Sequence, residues 1–146
     1  MGVQIFINYN GDCREAAEYY SEVFETKPPV FMTFGEGIRE EDHSVPLEAM
    51  NLIMYTELEI EGDRIMMSDI FPGMEYKVGN NMNLTVICKD VETVTKYFYR
   101  MKENGTVEME LQETEWSPIY GSITDQYGIH WQFNASPEVG EFSIES

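Results

Sequence analysis

The stretch GIHWQF places His130 and Gln132 two residues apart, and on a strand that spacing puts both side chains on one face. An imidazole there has two readings: a general base working near neutral pH, or a hydrogen-bonded structural histidine. Gln132 beside it adds a neutral amide that could help polarise a carbonyl or phenol. Asp69 closes the run RIMMSD and could accept a ligand's amine or hydroxyl; it also reads as a strand-end turn residue. Trp116 and Tyr120 share a face if the segment between them alternates, so they could wall a binding cavity, although Trp116 reads equally as core. Trp131 reads as core. His43, in REEDH, reads as a solvated loop histidine.

Nucleophiles are scarce. Cys13 falls in the first turn of an expected helix, where the dipole favours thiolate, but Glu15 and Glu18 oppose that, so it reads as structural. Cys88 reads as strand filler. The chain contains no HExxH, GxSxG, CxxC or phosphate loop, and no Ser-His-Asp set can be assembled from it.

These residues must be held by a modest scaffold. The 146 residues suit one domain with a real core, and 42% apolar and 13% aromatic content is that of a folded chain. The 27 acidic against 9 basic residues give a formal charge of −18, which argues against nucleic acid or an anionic membrane as partner and leaves a cationic ligand open. No run approaches the roughly 18 apolar residues of a membrane span. The first ten residues lack a basic leader, and Phe6 breaks a myristoylation motif. Two cysteines are too few for a disulfide scaffold, so a cytoplasmic, reduced setting is expected.

Residues 4–9 read as a strand. Asp12 and Glu15 have capping-box spacing before a helix over 12–24, with Ala17, Tyr20 and Phe24 at helical period. Strands are expected over 30–34, 51–60 and 64–68, the last two hinged at Glu61-Gly62-Asp63. Residues 36–48 form a polar loop and 71–81 a second one. A strand over 82–88 precedes a helix capped by Asp90, with Val91, Val94, Phe98 and Met101 on its buried side and Asn104-Gly105 at its end. Strands follow over 107–111, 119–124 and 129–133, the last pair closed by Asp125-Gln126-Tyr127-Gly128. The tail, 137–146, reads as loose or as an arm for a partner subunit.

The order strand, helix, three strands occurs twice. Asp12 matches Asp90 at an offset of 78, and the hairpins match at 65, pairing Met67 with Gln132. The difference of 13 is the length of segment 36–48. The expected fold is α+β, one domain of two βαβββ modules (about 1–70 and 81–136) in curled mixed sheets around a cavity.

Four segments, IFINYNGDCREAAEYYSEVF, LEIEGDRIMMSDIFPG, NLTVICKDVETVTKYFYRM and WSPIYGSITDQYGIHWQF, resemble the PhnB-like branch of the vicinal oxygen chelate superfamily, the glyoxalase, bleomycin-resistance and dioxygenase fold. Some of that branch are described as 3-demethylubiquinone-9 3-methyltransferase-like. The resemblance implies a cavity on the concave side of each sheet, faced by His130 and Gln132, and a homodimer. Metal-using members carry a ligand on the first and last strand of each module. Carried over, those positions fall on Ile5, Met67, Asn83 and Gln132, with Gln4 or Met82 one residue away. Isoleucine and methionine do not suit a hard or borderline divalent ion, and two amides make a weak set. No metal and no cofactor are therefore expected.

Met50, Met54, Met66, Met67 and Met82 would make a soft cavity lining, or an ordinary core. Three functions follow as expectations. The first is a metal-free protein that binds a small organic molecule through Gln132, Asn83, Met67, Trp116, Tyr120 and Asp69. The second is an enzyme using His130, although no glycine-rich loop of a Rossmann-type methyltransferase is present. The third is sequestration of a cationic antibiotic.

Overall fold

The computed structural model describes residues 2–37 and 45–136. His43 and the 137–146 tail lie outside the described residues, as does most of the expected 36–48 loop. The chain divides into two compact units, residues 1–77 and 78–146. Each is an open four-stranded mixed sheet with one helix, so the architecture is α+β.

In the first unit β1 (Ile5–Tyr9) leads to α1 (Cys13–Phe24), β2 (Met32–Thr33), a single 3-10 turn (Leu47–Ala49), β3 (Ile53–Ile60) and β4 (Asp63–Asp69). The sheet order is β1-β4-β3-β2, parallel only between β1 and β4. Ala16, Ala17, Tyr20, Val23 and Phe24 form the buried stripe of α1, and the Tyr9 hydroxyl donates to that of Tyr20 at 3.1 Å. Glu61 and Gly62 both take positive φ (50° and 88°), which makes the β3–β4 connection a two-residue turn of the primed kind matching strand twist. β2 is two residues long instead of the expected five: its register with β3 shifts between Met32 and Thr33, and the Val30 carbonyl is taken by the Thr56 hydroxyl (2.9 Å).

The capping box expected at Asp12 does not form: its side chain makes no cap hydrogen bond. The carboxylate serving that helix end comes from the far end of β4. Asp69 Oδ1 accepts from the backbone N–H groups of Gly11 (3.0 Å) and Cys13 (2.9 Å), while Oδ2 accepts from Ile53 N–H (2.8 Å).

The second unit contains β5 (Leu84–Cys88), α2 (Val91–Lys102), β6 (Thr106–Gln112), β7 (Tyr120–Thr124) and β8 (His130–Ala135), in the order β5-β8-β7-β6. Here Asp90 does cap its helix, accepting from Glu92 N–H (3.2 Å) and from the Thr93 hydroxyl (2.7 Å). Val94, Tyr97, Phe98 and Met101 are buried, and Phe98 meets Phe133 edge-on at 5.6 Å. Val91, expected on that stripe, is 41% exposed; Tyr97 takes the place in the core. At the last hairpin Asp125 Oδ1 accepts from Tyr127 N–H (2.8 Å) and Ile129 N–H (3.0 Å), and Oδ2 from the indole N–H of Trp131 (2.8 Å).

Burial on the paired strands refines the repeat. Buried Tyr9 answers to buried Cys88, and buried Ile65 and Met67 to buried Trp131 and Phe133, so β1 maps on β5 at 79 and β4 on β8 at 66, not 78 and 65. The helices do match at 78, from Cys13 to Val91. Glu57 pairs with Met66 and Ser122 with Gln132, so β3 maps on β7 at 65. The first unit has one extra residue between β1 and α1, around Gly11 (φ 95°), and the second has one extra in its last hairpin turn. The two changes cancel, leaving the difference of 13. They still shift two strands by one residue, which reverses the face of every side chain.

Gly128 has φ 87°, and an added Cβ would lie 2.9 Å from Val78 Cγ1. Gly128→Ala is expected to lower the unfolding free energy by about 1–3 kcal/mol. Adding Val78→Ala should restore the steric part and leave the backbone strain, which urea melts of the four proteins in the cycle will show. Equal melts for wild type and Gly128→Ala would refute it.

Candidate functional site

On β8 the side chains alternate: Trp131, Phe133 and Ala135 are buried on the α2 side, while His130, Gln132 and Asn134 are half-buried on the other. Their cross-strand neighbours on β7 are Thr124, Ser122 and Tyr120, and Thr85 of β5 lies beside Gln132. The open face of this sheet therefore carries a continuous polar stripe. The Thr85 hydroxyl donates to Gln132 Oε1 at 3.1 Å, which fixes the carbonyl end of that amide.

His130 sits in a small network. Its Nδ1 lies 2.8 Å from Thr124 Oγ1 and 3.3 Å from Glu108 Oε1, and Thr124 also donates to Glu108. A threonine hydroxyl has one proton. Given to the carboxylate, it leaves the Thr124 oxygen as an acceptor for Nδ1–H, which selects the tautomer whose lone pair is at Nε2. The side chain is 18% exposed. Glu108 reaches this network from an irregularity in β6 between Val107 and Met109, where the register with β7 shifts and the strand re-aims a side chain.

Trp116 lies in the segment between β6 and β7, 65% exposed, with its ring 5.6 Å from that of Tyr120 and inclined at 72°. Its backbone is tied down. Ser117 is buried, its Oγ within 2.6 Å of the Ile119 carbonyl and 2.8 Å of the Ala135 carbonyl, and Thr114 N–H donates to the Ser117 carbonyl at 2.9 Å. Partial burial raises the Tyr120 phenol above its usual range, so the ring is neutral. The two tryptophans thus have opposite roles, since Trp131 is 1% exposed and bonded to the turn.

The remaining sequence candidates fall elsewhere. Asn83 is exposed just ahead of β5. Met67 has no exposed surface; it pairs with Ile7 on the α1 side of its sheet, the side that carries Tyr9. Asp69 is 3% exposed with both oxygens engaged by backbone amides. Cys13 is buried, and burial, then Asp69 and Asp12, push its thiol far above the usual range.

In the first unit the position equivalent to Gln132 is Met66, and that equivalent to Thr85 is Phe6. Taken unit by unit, neither the hydrocarbon and thioether of Phe6 and Met66 nor the hydroxyl and amide of Thr85 and Gln132 suit a divalent ion. Among the described residues no group of three or more His, Cys, Asp and Glu side chains is placed to hold a metal. The first unit has its own groove of about 1070 Å³, lined by Lys27, Val30, Tyr55, Glu57, Glu59 and Arg64 among others. There Tyr55 donates to Glu57 (2.7 Å), which also pairs with Arg64 at 3.4 Å. The bond to Glu57 raises the Tyr55 phenol.

Sequence reasoning missed Thr85, Ser122, Thr124, Asn134 and Glu108. Alternation carried from His130 across the hairpin would have found Ser122 and Thr124; nothing in the sequence announces the irregularity at Glu108.

A family profile described as 3-demethylubiquinone-9 3-methyltransferase matches residues 2–134. Protein YjdN of Escherichia coli K12 is 26% identical over 140 residues, covering 92% of this chain and 95% of that protein. Protein PA1353 of Pseudomonas aeruginosa superposes with a TM-score of 0.77 at 26% identity, covering 92% and 98%. A putative 3-demethylubiquinone-9 3-methyltransferase, PhnB protein, of Bacillus cereus gives 0.70 at 19%, covering 93% and 100%. The fold is shared with a glyoxylase/bleomycin resistance protein/dioxygenase domain of Frankia sp. EAN1pec, at 12% identity and a TM-score of 0.58, covering 92% and 95%.

Proposed function

Because the chain belongs to the 3-demethylubiquinone-9 3-methyltransferase family, the PhnB-like branch of the glyoxalase fold, we propose that it binds a small organic molecule without a metal, on the open sheet face of its second unit. The observation that carries this is the half-buried polar stripe of His130, Gln132, Ser122, Thr124 and Tyr120, beside a tryptophan held out at 65% exposure. Polar groups so arranged can orient a ligand, and an exposed indole adds apolar contact. Gln132 is the main contact. Thr85 holds its oxygen, so the amide N–H groups face a ligand oxygen.

The donors on this face support a metal-free site, since the Gln132 amide and the Thr85 hydroxyl are a weak set for a divalent ion. A homodimer belongs to the same reading. β6 is a seven-residue outer strand and an open invitation to pairing. Sedimentation equilibrium returning only the 16.9 kDa monomer would remove that part. A cytoplasmic setting fits two buried thiols, and recovery outside the cytosolic fraction would count against it.

The test is a thermal-shift screen of small organic compounds on metal-free protein. A binding compound should raise the melting temperature saturably. Gln132→Ala should weaken it about 5- to 20-fold, the worth of one hydrogen bond of roughly 1–2 kcal/mol, with little change in the ligand-free melt. Saturable stabilisation by Mn²⁺, Ni²⁺, Zn²⁺ or Fe²⁺ would overturn the metal-free part.

A second reading is catalysis with His130 as base, favoured by the lone pair that its network directs to Nε2. Turnover lost on His130→Ala, with binding retained, would establish it; binding without turnover of any hit would dismiss it.

A further inference from the structure

We propose that the corner formed by Trp116 and Tyr120 is a cation subsite that takes a methylated ammonium group of the bound molecule; this rests on the reading that the second unit binds a small organic molecule. The two rings meet edge-on, 5.6 Å apart and inclined at 72°, and Trp116, 65% exposed, offers a negative π face beside that contact. A single exposed tryptophan could be incidental. This one has a second ring inclined at 72° against it and a backbone pinned through Ser117 to two carbonyls, so the aromatic pair is formed before any ligand arrives.

The charges around it have the matching sign. Glu113 and Glu115 lie just ahead of Trp116 in the chain, both exposed and with no hydrogen bond or ion pair among the described residues. By contrast Glu110 is satisfied by Lys102 at 3.0 Å. Lysines elsewhere in the unit lie over tyrosines, Lys96 over Tyr97 and Lys102 over Tyr99, and none among the described residues lies over Trp116. The indole face is open to an external cation. The whole chain carries −18, which draws cations toward it and repels anions.

The choice of a methylated ammonium follows from hydration. A primary ammonium is strongly hydrated and loses much of that water against an aromatic wall. Methyl groups spread the charge, reduce the cost and add apolar contact with both rings. A neutral group of the same shape keeps the contact and lacks the electrostatic part, which provides the test.

Choline and its neutral isostere 3,3-dimethylbutan-1-ol differ by nitrogen against carbon. Titrations of the full chain should be followed by tryptophan emission, with Trp116→Leu as control, because Trp131 is buried. Choline is expected to shift the emission saturably and to bind about 10-fold more tightly than the alcohol, roughly 1.4 kcal/mol. The advantage should shrink as salt rises to about 0.3 M, fall severalfold in the Glu113→Gln/Glu115→Gln variant, and vanish in Trp116→Leu. Equal binding of choline and the alcohol would overturn the cation subsite and leave the small-molecule reading standing. Silence from both, with hits from the compound screen still binding, would overturn the subsite as well. Silence from both and an empty screen would overturn the subsite and the reading beneath it.

Discussion

Asp69→Ala is expected to lower the unfolding free energy by roughly 3–5 kcal/mol, the largest single effect in the first unit. Asp69 is 3% exposed and receives three backbone N–H groups, from Gly11, Cys13 and Ile53. Alanine leaves all three without their acceptor, two of them at the start of α1. Each buried donor left alone costs about 1–3 kcal/mol. The asparagine variant sharpens the point. Its oxygen can still serve Gly11 and Cys13, but its NH₂ group then faces Ile53 N–H, donor against donor. Asp69→Asn should therefore lose at least about half as much as alanine. Urea unfolding measures the sum, and native-state hydrogen exchange at those three amides locates it. An asparagine variant as stable as wild type would refute the assignment.

Asp125→Ala should come next, with a loss of about 2–4 kcal/mol and a change in Trp131 fluorescence. Its two oxygens hold the last hairpin turn and the indole of the largest fully buried side chain. Without the carboxylate, the Trp131 N–H is left in the core and the turn loses two bonds. Emission from Trp131 should shift, while Trp116, already exposed, should quench with iodide as before. If Trp131 emission and stability both stay at wild-type values, the carboxylate does not hold that turn.

Much of the fold was legible because period and punctuation agree. Ala17, Tyr20 and Phe24 set α1, and Glu61-Gly62 set the first hairpin. The short β2 was not, because apolar residues 30–34 resemble a strand whichever partner their carbonyls find, and that of Val30 finds a hydroxyl. The helix cap at Asp12 was misread for a similar reason. Spacing shows which side chains could cap, while the winner, Asp69, lies 57 residues away from it in the chain. At the site, alternation on β8 placed His130 and Gln132 together. The hairpin offset of 65, which holds for β3 and β7, then carried Met67 onto the wrong face, since Met66 is the true counterpart of Gln132. Asp69 has the wrong surroundings for a ligand contact, and only tertiary packing reveals that.

The paired one-residue changes have a practical meaning for anyone who recombines the two halves. A chimera that transplants β5 into the place of β1 must be spliced in the frame of 79, while α2 for α1 requires 78, so the joint has to absorb one residue at Gly11. Spliced at 78 throughout, the donor strand would turn its apolar side outward and its polar side into the helix. The duplication behaves like two gears of the same pitch set one tooth apart: interchangeable as parts, and only in the right phase.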